Sequence, residues 1–262
     1  MSPKQKDITL LITLIVLIIA INYNYLDTKL TNFLSNSETA KVQRVIDGDT
    51  IEIENKTSVR LLGINTPEKG EIYYNEAKRF LEDLVLNKTI ILEFSKNKYD
   101  MYDRTLAYIF KDNENINLKI IEEGFGNFYF PSGRDKYYNQ FKEAWNKCVE
   151  NKKNFCEPSE DICAKCIELK DFNYKGQTIT FYNKCNFDCD LNKWEIKDEG
   201  RKKFVFPDFD LKSNMEIKII VSNKTSTDEN LYWENEDYVW TKTGDTLLLR
   251  DNSGKLILWK NY

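Results

Sequence analysis

Histidine is absent from the 262 residues. That absence excludes every mechanism that needs an imidazole, including Ser-His-Asp triads, Cys-His dyads, His-phosphate chemistry and His-ligated zinc. An excess of positive charge is also missing: 38 Lys and Arg face 42 Asp and Glu, a net of -4. The balance argues against a simple nucleic-acid-coating protein. No cysteine precedes position 148, and neither an internal repeat nor a long low-complexity segment is found. Aromatic residues are plentiful at 13%, enough for packed cores, so general disorder is excluded. Catalysis by such a chain must run on carboxylates, Arg, Lys, Tyr, Cys or a metal held mostly by oxygen. The length suggests two folded domains.

Ile8 to Ile21 is an almost unbroken aliphatic run preceded by Lys4 and Lys6. It is short for a full membrane span and has the length of a signal-peptide core. No small-x-small cleavage site follows. The expectation for residues 1–22 is an uncleaved signal-anchor helix with the lysines inside and the rest exported. That puts the protein in the cell membrane as a single-pass chain with its catalytic part extracytoplasmic, or secreted if the signal is cut. Residues 23–40, rich in Asn, Ser and Thr, read as a polar tether.

Six cysteines follow: Cys148, Cys156, Cys163, Cys166, Cys185 and Cys189. An even number behind an export signal points to disulfides, with 15 connectivities open for six cysteines. The rival is a four-cysteine zinc site made by Cys163, Cys166, Cys185 and Cys189.

From residue 42 the chain reads as an α+β unit. Short β-branched runs at 42–46, 50–54 and 58–64, broken by Asp-Gly and Asn-Lys turns, predict a strand meander. Residues 72–86 place Ala77, Phe80, Leu81, Leu84 and Val85 on one helical face. Strands follow near 89–95 and 105–110, then helices near 115–123, stopped by Gly124, and 135–150. Tyr138, Phe141 and Trp145 form the stripe of that last helix. Strands curling around inserted helices suggest a five-stranded OB-type β-barrel with three helices, spanning 41–158. Residues 163–262 show only short alternating strands, which indicates an immunoglobulin-like all-β sandwich.

The chemistry gathers at the edges of the meander. Asp47-Gly48-Asp49-Thr50 makes a turn; Arg60 lies in the next strand, and Asn65-Thr66-Pro67-Glu68 ends it. Arg104 opens a later strand after Asp100-Met101-Tyr102-Asp103. Oxygen ligands suit a hard cation such as Ca²⁺. Two guanidinium groups suit the growing charge on a phosphate, and a glutamate can activate water. Together they describe a metal-assisted phosphodiester hydrolase. Taken singly, each piece is an ordinary turn, helix start or solvated arginine; the order and spacing make the set specific.

These stretches, VIDGDTIEI, VRLLGINTPE, YDMYDRTLAYIF and the EEGF turn, resemble the staphylococcal nuclease (thermonuclease) family over residues 41–158. The resemblance implies an OB-type barrel and a calcium-dependent nuclease acting on DNA and RNA, leaving 3′-phosphate ends. It implies Asp49, Asn65 and the Thr66 backbone carbonyl as calcium ligands, with Asp47 supporting them from behind. It implies Arg60 and Arg104 as phosphate clamps, Glu68 as the water-activating base, and Tyr102 and Tyr129 near substrate. The chain departs from the family's pattern at Asn65 (an aspartate there), Met101 (a lysine) and Asp103 (a glycine). Residues 41–150 carry 17 Lys and Arg against 19 Asp and Glu, so steering of nucleic acid should be weak.

The stretches ITFYNKC, DLNKWEIKDEGRKKFVFPDFDL and TKTGDTLLLRDNSGKLI resemble the lamin-tail (LTD) domain, an immunoglobulin-like sandwich. Trp194 and Phe206 are expected in its core, Asp245 and Gly254 in turns, and Trp233 and Trp240 partly exposed. This domain carries no catalytic set and would serve as a spacer or as a contact for nucleic acid, membrane or envelope polymer. Besides an exported, membrane-anchored monomeric nuclease, two readings stay open: a nucleic-acid-binding module without chemistry, and an envelope adaptor.

Overall fold

The structure, a computed structural model, describes residues 3–23, 37–227 and 229–262. Helix α1 (Pro3–Ile21) carries the aliphatic run, with the side chains from Ile8 to Ile19 exposed. Among the described residues no helix is long and apolar enough to cross a membrane, so the expected spanning segment is not met there. Most of the expected tether, residues 24–36, lies outside the described residues. Its end does not: Ser37–Ala40 are already strand, paired with residues 90–93.

Strands β1 (Ser37–Asp47), β2 (Thr50–Ile53), β3 (Thr57–Leu61), β4 (Gly63–Asn65), β5 (Thr89–Tyr99) and β6 (Thr105–Lys111) build the first unit, with helix α2 (Tyr74–Val85) between β4 and β5. The antiparallel order β3-β2-β1-β5-β6 closes on itself because β3 also pairs with β6 in parallel, Val59 opposite Thr105 and Leu61 opposite Ala107. A closed five-stranded barrel results. Its inward side chains include Val42, Val45, Ile51, Val59, Ile90, Leu92 and Ala107. A short strand β7 (Glu114–Asn115) extends β6 at its end, and helix α3 (Ile116–Glu122) follows, capped by the Asn115 side chain. Gly124, at φ +72°, ends it as expected. Strand β8 (Asn127–Tyr129) pairs with β4, setting Asn65 opposite Asn127, and α4 (Tyr138–Asn151) buries Tyr138, Phe141 and Trp145. The three expected barrel helices are therefore present.

The second unit is all strand: β9 (Ile167–Asn173), β10 (Thr178–Asn183), β11 (Cys189–Asp190), β12 (Glu195–Lys197), β13 (Lys203–Val205), β14 (Asp210–Leu211), β15 (Glu216–Val221), β16 (Asn230–Trp233), β17 (Thr246–Arg250) and β18 (Leu256–Asn261). Two four-stranded sheets, β16-β15-β10-β9 and β13-β12-β17-β18, enclose Trp194, Phe181, Ile217 and Phe206. Trp233 and Trp240, expected partly exposed, are buried. Strand β16 runs parallel to β15 and sets Trp233 opposite Val221, so its ring meets Trp240 edge-on at 6.0 Å. Asp245 is likewise a buried carboxyl and not a simple turn residue.

All six cysteines are joined, Cys148–Cys156 beside α4 and Cys163–Cys189 and Cys166–Cys185 in the sandwich. The zinc alternative falls, because the thiolates it needs are in disulfides. The sandwich is no separate bead. Leu248 and Leu256 belong to the barrel's hydrophobic core, and Trp259 meets Trp145 edge-on at 6.0 Å.

Candidate functional site

The two-residue turn between β1 and β2 carries Asp49. Gly48 lets it approach: a Cβ there would lie 2.7 Å from Thr66 Oγ1 and 2.8 Å from Ala77 Cβ. Asp49 is buried and fully engaged. Its Oδ2 accepts from the Thr66 N–H (3.0 Å) and Thr66 Oγ1 (3.1 Å) and meets Arg60 Nη2 at 3.0 Å. Its Oδ1 accepts from Thr50 Oγ1. Arg60, buried in turn, donates to the carbonyls of Leu61 (2.7 Å) and Ile64 (2.9 Å). Its guanidinium thus ties the turn, β3 and β4 into one frame. Asp47 accepts from the Asp49 N–H, and burial, followed by the like charge of Asp49, raises its carboxyl above the usual range.

Glu68 lies two residues beyond Thr66, half exposed, its N–H donated to Glu71 Oε2. Arg104 sits in a separate turn. Its Nε donates to Asp100 Oδ2 at 2.7 Å and its N–H to Asp100 Oδ1 at 2.9 Å. Burial alone would raise Asp100, yet the hydrogen bonds from Arg104 and the Tyr102 N–H outweigh it and hold the carboxyl low. Asp103 takes φ +62°, a left-handed conformation that aspartate tolerates better than most residues. Tyr102 and Met101 are exposed, and the Tyr102 ring stands 5.5 Å from the Arg104 guanidinium. Among the described residues no direct polar contact joins Arg104 to Asp49, Arg60 or Glu68.

A third component was not legible in the sequence. The turn between β12 and β13, residues 198–202, reaches from the sandwich onto the barrel. Asn65 donates its amide to the Gly200 carbonyl at 2.8 Å, and Asn127 donates to the Glu199 carbonyl at 2.7 Å. The Phe130 N–H donates to Glu199 Oε1 at 3.0 Å, and Arg201 Nη2 meets Glu68 Oε1 at 2.7 Å. The acceptor carbonyl fixes which end of the Asn65 amide is nitrogen, leaving Oδ1 as the end a cation could use. Tyr129 lies against Gly200 (a Cβ there would be 3.2 Å from the ring), and burial, then Asp198, raises its phenol. Burial pushes Asp198 up to about 7, with Asp245 adding, and Glu199 up to about 8, against the opposing Phe130 N–H. In the sequence this turn is only a charged KDEGRKK hairpin. Nothing local tells that it docks.

Among the described residues no group of three or more carboxylate or cysteine side chains is placed to hold a metal. The oxygen donors at the site remain Asp47, Asp49, the Asn65 Oδ1 and the Thr66 backbone carbonyl. The Asp47 carboxyl, raised by burial and then by the like charge of Asp49, fits a divalent cation beside it, which would offset that like charge.

A closed five-stranded barrel with an acid–arginine frame at one turn defines a nuclease-type OB barrel, joined here to a sandwich. Comparison with known proteins agrees. The description "Staphylococcal nuclease homologue" matches residues 58–157, and "Lamin Tail Domain" matches 164–262. A thermonuclease of Staphylococcus hyicus is 34% identical over 129 residues, 46% of this chain and 76% of that protein. One of Staphylococcus intermedius is 33% identical over 129 residues, 46% of this chain and 77% of its own length. An uncharacterized endonuclease of Haemophilus influenzae is 34% identical over 109 residues, 40% of this chain and 60% of that protein. The chain belongs to the staphylococcal nuclease homologue family, with a lamin-tail domain following. The family match begins after Asp47 and Asp49, which the β1–β2–β3 pairing nonetheless holds against it.

Proposed function

We propose that the protein is an exported, membrane-anchored, calcium-dependent nuclease that hydrolyses phosphodiester bonds of DNA or RNA and leaves 3′-phosphate ends. The observation that carries this reading is the Asp49–Arg60–Thr66 frame with Glu68 two residues beyond it, in a family that includes thermonucleases. Export is supported by three disulfides and by the apolar run at 8–21, which would serve as signal and anchor.

When bound, calcium would supply positive charge to the phosphate through Asp49, Asn65 Oδ1 and the Thr66 carbonyl, with Asp47 behind them. Glu68 takes the proton of a water aligned with the phosphorus. The hydroxide so formed makes the new P–O bond as the P–O5′ bond breaks, leaving a 3′-phosphate and a 5′ oxygen that takes a proton from solvent to become the 5′-hydroxyl. Arg104 is held by Asp100 through its Nε, and among the described residues its Nη groups have no hydrogen-bond partner, so they donate to the phosphate oxygens. Arg60 acts mainly by holding Asp49 and the two strand carbonyls, since its side chain is only 9% exposed.

Cleavage of single-stranded DNA by the full chain, with calcium and with chelator, tests the reading. Calcium-dependent release of 3′-phosphate ends supports it. A second reading, binding without chemistry, is favoured by the Asn65 amide turned to Gly200. Oligonucleotide binding with no cleavage at high calcium would establish that one instead.

A further inference from the structure

The turn at 198–202 is built to hold one side chain in place. It closes on itself, the Asp198 N–H to the Lys202 carbonyl at 3.1 Å and the Lys202 N–H to Asp198 Oδ1 at 2.9 Å. It is then fastened to the barrel through Gly200 and Glu199, as described, and to its own sheet by the Glu199 N–H to Asp245 Oδ1 at 3.2 Å. Asp198 and Glu199 are buried by this docking, and Lys202 is tied to Glu236 and the Tyr238 carbonyl. Arg201 differs: its side chain is 60% exposed and its ion pair is with Glu68, a residue of the other domain.

The two other arginines of the site are less exposed. Arg60 is buried and engaged with three acceptors, and Arg104, held through its Nε by Asp100, is 25% exposed against 60% for Arg201. The barrel segment as a whole is slightly acidic, so no general field concentrates a polyanion here. An exposed cation beside Glu68 therefore matters more than it would on a basic surface. An exposed ion pair contributes little to stability, whereas a phosphate offers a guanidinium two parallel charge-assisted bonds. A phosphate can thus draw Arg201 away from Glu68.

We propose that the lamin-tail domain completes the site: Arg201 is a substrate-phosphate-binding residue, held beside Glu68 by the docked turn. This deepens the nuclease reading and rests on it. Substrate would then exchange partners, taking Arg201 and leaving the Glu68 carboxylate open to water. In the absence of substrate the pair keeps both side chains in place.

The test uses the full chain with Arg201→Ala, Arg201→Lys and, as an equal-charge control at an exposed position of β15, Lys218→Ala. For Arg201→Ala, KM for single-stranded DNA should rise about tenfold while kcat stays within about twofold. The log–log salt slope should shrink by about 0.7, the loss of one phosphate contact on a single strand. Arg201→Lys should keep the slope and recover part of KM; Lys218→Ala should change neither. Unchanged KM and slope in Arg201→Ala would overturn the proposal, and so would a rise in kcat/KM, which would make the turn a cover. If the parent chain cleaves nothing, the nuclease reading has failed separately. Oligonucleotide anisotropy in chelator then decides: about tenfold weaker binding by Arg201→Ala supports the assignment, and equal binding sinks it.

Discussion

Asn65 donates its side-chain amide to the carbonyl oxygen of Gly200 at 2.8 Å, across 135 residues of chain. This explains an amide where the family resemblance implies a carboxylate. An aspartate would set two acceptors against one another in a buried seam. Asn65→Asp should therefore cost about 1–3 kcal/mol without calcium, read as a lower Tm and faster hydrogen exchange at 198–202. Added calcium should recover more of that loss in the variant than in the parent, because the new charge favours the cation. Equal Tm values in chelator would remove the explanation.

Glu68 is half exposed, and its ion pair with Arg201 lies at the surface. Glu68→Gln should thus leave Tm within about 1 °C, since such pairs are worth little. Cleavage should fall 100-fold or more, about 2.7 kcal/mol of barrier. Near-parental rates would strip Glu68 of its role as base.

The buried carboxyls of the docked turn make stability depend on pH. Burial raises Asp198 from 3.8 to about 7 and Glu199 from 4.5 to about 8, so folding favours their protonated forms. That contribution is complete below about pH 4 and is lost as pH rises through 7 and 8. If 1 kcal/mol of it survives solvent access, Tm falls by about 2–4 °C between pH 5 and 9. Glu199→Gln should flatten the curve, and a scanning calorimetry series on both chains would show it.

Cys166–Cys185 closes a loop within the sandwich, at a sequence separation of 19. Replacing both by serine should cost about 2–4 kcal/mol. The damage should reach the barrel site, because the 198–202 turn depends on the same sandwich. Loss of Tm with an unchanged KM for DNA would mean that the turn docks independently of its sheet.

The barrel was legible because its strands alternate and its helices carry apolar faces: Ala77, Leu81 and Val85 are buried, with Phe80 and Leu84 partly so. The turn signals were equally direct, from Asp47-Gly48 to Gly124. What stayed hidden depends on contacts distant in sequence. Trp240 lies outside any strand, so no period announces that Phe172 packs edge-on against it at 4.8 Å. The docked turn was hidden for the same reason, since charge in a hairpin ordinarily means solvent. The resemblance implies Arg60 as a phosphate clamp; what the sequence could not tell is that its guanidinium also meets Asp49 and donates to the Leu61 and Ile64 carbonyls.

Strand β18 gives the seam its last consequence. Leu256 and Trp259 pack into the barrel, while Ile257 and Leu258 of the same strand pack against the sandwich core. Neither half can then be exchanged as a cassette. A chimera that grafts a foreign lamin tail after residue 158 inherits an ill-fitting ridge against Trp145. Viable descendants of such a fusion must alter positions 145, 256 and 259 together.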